Sequence, residues 1–297
     1  MQVTEPRISF KLLSAAFLSI TVLLSACNKQ PKLNLERSGQ LPAPETKELD
    51  AEGLVRMAQR METSGDLTNA MNFYADALIR DGSLVDAHLG MARVMTALGD
   101  PAQALTYYGH AARLSPNDAG IARHYALALI GEDRADEAAT VIDGYLAGNT
   151  GTGDLYNILG VARDLQSQHD TAQAAYREGL ALVTVPDRQH VNLLNNLALS
   201  LAISDKYSEA VLLLNPYIGD MRLGPDAMTE HQSLYRQNLA LVYAISGQTE
   251  SAVDVAKSAL SEQQAEFNRR FYETIPTLSG SERTRAVFLR ELPDSTS

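Results

Sequence analysis

With one cysteine in 297 residues, Cys27, the chain has no pair of thiols to staple its fold and none to spare for a zinc site. Its six histidines, at 88, 110, 124, 169, 190 and 231, include no two spaced three or four apart, as a helical metal pair requires. Neither a metal nor a cofactor is expected. A Walker loop, GxGxxG, GxSxG and HExxH are all absent, so no catalytic residue is nominated and an enzyme is not expected. The acidic group Asp133, Asp136 and Glu137 falls at a helix start, where carboxylates complement the helix dipole. No Lys/Arg-rich run occurs and the formal charge is −11, which excludes nucleic acid as a partner because phosphate binding needs a concentrated basic surface. No alternating strand pattern interrupts the chain, so the domain is expected to be all-α.

What is present is a helical pattern that returns every 34 residues, starting at Ala51 and restarting at Val85, Ala119 and Gly153. The eighth, twentieth, twenty-fourth and twenty-seventh residues mark each unit. They are Ala58, Ala70, Tyr74 and Ala77, then Ala92, Ala104, Tyr108 and Ala111, then Ala126, Ala138, Ile142 and Tyr145, then Gly160, Ala172, Tyr176 and Gly179. Small side chains at the eighth and twentieth positions let two helices approach, and the bulky twenty-fourth residue fills the gap beside the next unit. The phase slips at 187–190 and a fifth unit runs from Val191, with Leu197, Ala198, Ala210 and Leu214 as markers. An insertion at 225–232 precedes a sixth unit from Ser233, with Leu239, Ala240, Ala252 and Ala259. Gly65-Asp66, Gly99-Asp100-Pro101, Gly131-Glu132-Asp133 and Gly247-Gln248 each fall between the two helices of a unit, where glycine stops one helix and a polar side chain caps the next.

The period and its markers resemble the tetratricopeptide repeat. The resemblance implies a right-handed superhelical solenoid of about six helix-turn-helix hairpins over 51–266, closed by a capping helix, with 267–297 forming that cap and a tail. It also implies a groove lined by the first helix of each unit. There the fifth positions are Val55, Leu89, Arg123, Asn157, Asn195 and Gln237, and the ninth are Gln59, Arg93, Leu127, Val161, Leu199 and Leu241. Amides pair with both the N–H and the C=O of an extended peptide, and aliphatic residues hold its side chains. Asn157, Asn195 and Gln237 thus form a candidate amide ladder, flanked by Leu127, Val161, Leu199 and Leu241, with Arg93 and Arg123 as electropositive neighbours. The same spacing also suits aliphatic residues that only pack helices together.

At the N-terminus, Arg7 and Lys11 precede an apolar run, Leu12 to Ala26, too short for a membrane span and laid out as an export signal. Its ending Leu24-Ser25-Ala26-Cys27 resembles the bacterial lipobox. This implies removal of 1–26, leaving a charge of −12, and acyl chains on Cys27 that anchor the protein to a membrane. Asn28 resembles the sorting signal for the outer membrane, facing the periplasm. The polar, Pro-bearing stretch to Glu48 reads as a tether, so 27–50 joins lipid to solenoid.

The phrases NNLALSLAISDKYSEA and RQNLALVYAISGQ, the second leading into SALSEQQAEFN, resemble the TadD family of tight-adherence (Flp) pilus lipoproteins. That resemblance implies a non-enzymatic assembly factor at the outer membrane whose partners are pilus or secretion proteins, a secretin channel among them. The alternative is an accessory lipoprotein of another envelope machine: a type IV pilus secretin pilotin, an outer-membrane protein insertion factor or a wall-hydrolase adaptor. Two amphipathic stretches close the chain, FNRRFYETI and SERTRAVFLREL. The first is expected to cap the last unit, and the second is either a partner-binding tail or a loosely docked helix.

Overall fold

The computed structural model describes residues 49–184, 187–222 and 224–290. The expected export signal, Cys27 and nearly all of the tether lie outside the described residues, as does the chain beyond Arg290. Among the described residues there is no strand, and no helix is long and apolar enough to cross a membrane.

Two helices joined by a tight turn form the building unit, and six such pairs follow one another. They are α1 (Ala51–Thr63) with α2 (Leu67–Arg80), α3 (Val85–Leu98) with α4 (Pro101–Leu114), α5 (Ala119–Gly131) with α6 (Ala135–Leu146), α7 (Gly153–Leu165) with α8 (His169–Leu182), α9 (Arg188–Ile203) with α10 (Tyr207–Leu214), and α11 (Glu230–Ile245) with α12 (Thr249–Lys257). Local chemistry sets the starts. The carboxylates of Asp50, Asp66, Asp100 and Asp118 accept from Gly53, Asn69, Gln103 and Ile121 N–H at 2.7–3.2 Å, and Pro101 takes the first helical position, where no N–H is needed.

The turns share one device. A residue with positive φ sits two before each second helix: Gly65, Gly99, Asp133, Ser167, Asp205 and Gly247. In the third unit this corrects the expected glycine stop, because Gly131 is the last residue of α5 and the left-handed turn falls on Asp133 at φ 59°.

The marker residues carry the packing. Ala58, Ala92, Ala126, Ala70, Ala104, Ala138 and Ala172 are buried, as are Tyr74, Tyr108, Ile142 and Tyr176. Contact is close enough that a Cβ on Gly90 would lie 2.1 Å from Tyr74 Cζ of the preceding unit, and one on Gly160 would lie 2.3 Å from Tyr176 Cε1. Helix backbones approach there at glycine as they do at alanine elsewhere. Tyr74 and Tyr176 are held at both ends: each hydroxyl donates to an acid twelve residues earlier, Glu62 at 2.7 Å and Asp164 at 2.9 Å.

Between α10 and α11 the chain passes through two single 3-10 turns, Asn215–Tyr217 and Pro225–Ala227. Arg236, fully buried on α11, ties this passage down by donating to the carbonyls of Ile218 (2.9 Å), Asp220 (2.6 Å) and Ser258 (2.8 Å). Buried carbonyls outside a helix need such donors.

After the sixth pair, α13 (Glu262–Phe267) and α14 (Arg269–Thr274) bring Phe271, Tyr272 and Ile275 into the core that α11 and α12 share, which closes the solenoid as its repeat architecture requires. A 3-10 turn, Ile275–Thr277, then reverses the chain, and α15 (Gly280–Phe288) packs back against α7 and α9.

Candidate interaction face

The first helices neighbour one another along the array, α1 against α3, α5 against α7, α7 against α9 and α9 against α11, and each carries the fifth and ninth positions of its unit. Arg93 reaches back one unit to clasp Glu62, with Nε to Oε1 at 2.6 Å and Nη2 to Oε2 at 2.9 Å. Burial pushes the Glu62 carboxyl up, but hydrogen bonds from Arg93 and Tyr74 and the Arg93 charge prevail and hold it below the usual carboxylate range. Arg123 reaches forward one unit, with Nε 3.3 Å from Asp154 Oδ2. Both arginines thus carry a carboxylate across a unit boundary.

The three amides have separate neighbours. Asn157 accepts from Asn196 Nδ2 at 2.9 Å, and Gln237 donates to Ser233 Oγ at 3.1 Å. Asn195 is 6% exposed and its Oδ1 has no hydrogen-bond partner. Leu127 and Val161 are half-buried, whereas Leu199 and Leu241 are buried in the cluster that also contains Ile275, Ala286 and Val287.

That cluster shows what covers part of the face. On α15, Thr284, Ala286 and Val287 are buried, and Leu289 joins the cluster of Leu127, Val161 and Leu165. Arg285 makes an ion pair with Asp133 in the turn after α5. The face therefore holds a segment of this chain over its fourth and fifth units, while Gln59 and Arg93 are exposed nearer the N-terminal end.

A buried polar group behind this face escapes a reading by motif. Asp164 accepts from His169 Nδ1 (2.8 Å), Ser200 Oγ (2.8 Å) and Tyr176 OH. Asp, His and Ser are together here, but imidazole and hydroxyl meet the same carboxylate rather than each other, so no base activates the serine. Burial raises the Asp164 carboxyl while its three donors oppose the rise. The group ties α7 to α8 and α9. The signal for it is an acid at position twelve with a tyrosine at position twenty-four, found in the first and fourth units. No group of three or more metal-ligating side chains occurs among the described residues.

Six helical hairpins of this kind, stacked and capped, define a tetratricopeptide-repeat solenoid. No family model matches the chain. The uncharacterized protein y4yS of Sinorhizobium fredii is 31% identical over 120 residues, which cover 40% of this chain and 63% of that protein. Among solved structures, PilW, described as a widely conserved type IV pilus biogenesis factor, superposes with a TM-score of 0.54 at 18% identity, covering 78% of this chain and 96% of PilW. PilF of Pseudomonas aeruginosa gives 0.52 at 15% identity, covering 80% and 97%. A tetratricopeptide repeat protein from Parabacteroides merdae gives 0.54 at 13%, covering 77% and 86%. At these identities the likeness is one of fold.

Proposed function

We propose that this protein is a non-enzymatic interaction scaffold, anchored to the outer membrane by acyl chains on Cys27, that assists assembly of a Tad/Flp-type pilus or secretion apparatus. The observation that carries the scaffold reading is the first-helix face itself: it already accepts a helical segment, the chain's own α15, on α7 and α9. The proposed docking ground is the first-helix surface around Gln59, Arg93 and Arg123, together with the Asn157 row beside Leu127 and Val161, where the segment through Leu289 already packs. The lipobox-like ending at Cys27 supports the anchor, and the similar fold of a type IV pilus biogenesis factor supports the machine. A secretin is the proposed partner.

Two measurements test this. Radiolabelled palmitate should enter the wild-type chain and not Cys27→Ala; equal labelling removes the anchor. Pull-down from detergent-solubilised envelopes should recover a secretin or another pilus component, identified by mass spectrometry. Recovery of outer-membrane insertion or wall-hydrolase components instead would move the protein to a different envelope machine.

A further inference from the structure

We propose that the first-helix face of the fourth and fifth units is a docking site for a short amphipathic helix bearing one guanidinium or ammonium group, and that α15 is its exchangeable resident. The proposal rests on the scaffold reading above and specifies the chemistry of the partner.

Three observations lead there. First, α15 has nine residues, too few to be a stable helix alone, so its helicity depends on the face beneath it and on the Ser279–Glu282 capping box at its start. Its fully buried side chains are Thr284, Ala286 and Val287, none larger than valine, with Phe288 and Leu289 half-buried at its end. Such a footprint suits a reversible contact rather than a permanent core. By contrast, α14 sends the larger Phe271 and Tyr272, with Ile275 beyond its end, into the closing core. The cap and the resident segment are therefore separate elements, divided by the turn at Ile275–Thr277.

Second, the polar anchor lies at the rim. The Arg285 and Asp133 side chains are 37% and 60% exposed, which makes the pair an orienting contact that solvent screens. A partner cation placed on Asp133 reproduces it in full.

Third, the fit of α15 is incomplete. Arg283 on α15 donates from Nη2 to the Leu278 carbonyl at 3.1 Å but leaves its buried Nε without a partner, and Asn195 Oδ1 on α9, the helix on which α15 packs, is buried without one as well. An unmade bond at a buried polar group weakens the state that leaves it unmade. A partner helix with Ala- and Val-sized residues on one side and a cation for Asp133 can take the place of α15 without leaving Arg283 Nε buried and unbonded.

The test uses the full chain in detergent and a fluorescein-labelled peptide of residues 278–290. Val287→Glu places a charge at a buried contact of the terminal segment and should release α15 while the repeats keep their circular dichroism and melting. The labelled peptide should bind this variant at least tenfold more tightly than it binds the wild type, and adding Asp133→Asn, which removes the charge but suits the left-handed turn, should weaken that binding. Equal binding to both chains, or none to a folded Val287→Glu chain, overturns the proposal. Hydrogen exchange on the wild type covers the case in which the variant does not fold: amides 284–289 should exchange at least tenfold faster than those of α7 and α9, and equal rates overturn exchangeability. Light scattering that shows a dimer with α15 swapped between copies also overturns it, because the occupant is then a second copy. Peptide binding without any envelope partner would leave the exchange intact and sink the scaffold reading instead.

Discussion

Arg285 and Asp133, 152 residues apart in sequence, meet as an ion pair that joins the last described helix to the turn of the third unit. Because both side chains are well exposed, the pair contributes about 1 kcal/mol or less. Asp133→Asn, which removes the charge and keeps a side chain suited to the left-handed turn, should therefore leave the melting of the repeats almost unchanged while trypsin cuts after Arg283 or Arg285 sooner. A large fall in melting temperature would show that the α15 contact is part of the cooperative core.

The clasp on Glu62 gives the first two units a sensitivity to acid. Its carboxyl is held below the ordinary 4.5, so the stability it contributes is present above that value and is lost as pH falls through the lower folded value. Glu62→Gln should flatten this acid limb of the stability curve and lower stability at neutral pH, as read by urea titration at several pH values. An unchanged limb would mean that other carboxylates govern acid unfolding.

Gly90→Ala places a methyl against the Tyr74 ring, which is fully buried and pinned through its hydroxyl. The overpacking should cost about 1–3 kcal/mol. In a double-mutant cycle the cost should fall once Tyr74 is replaced by Leu. A cost that persists without the ring would point to the backbone of α3.

Ser167→Gly should act in the opposite direction. Ser167 holds φ 61°, a conformation that strains any residue with a Cβ and suits glycine. After allowance for the freedom glycine has in the unfolded chain, the gain should be roughly 0.5–1 kcal/mol, visible as a raised urea midpoint. Loss of stability would show that the Ser167 side chain contributes more than its backbone strain costs.

The hairpin architecture was legible because packing repeats with the chain: Ala58, Ala92 and Ala126 are buried at one position, and Tyr74, Tyr108, Ile142 and Tyr176 at another. The turns were legible where glycine marks them, at Gly65, Gly99 and Gly247, and hidden where Asp133, Ser167 or Asp205 takes the same left-handed conformation. The fate of the tail was not legible. Ala286 and Val287 announce an apolar stripe, but only tertiary structure says that it turns back onto α7 and α9 instead of extending the array. Arg236 was equally silent, since its three carbonyl partners belong to the irregular passage after α10 and the end of α12. On the face itself the row of positions was readable from the period. Bonding partners such as Asn196 for Asn157 and Asp154 for Arg123 depend on how neighbouring units dock.

Photo-cross-linking in living envelopes reaches the centre of the account. A benzophenone amino acid at Asn157, on the first-helix face, should capture a pilus or secretin component identified by mass spectrometry. The same group at Ile79, 82% exposed on α2, should not. Capture from Ile79 with none from Asn157 would contradict a scaffold that works through its first helices.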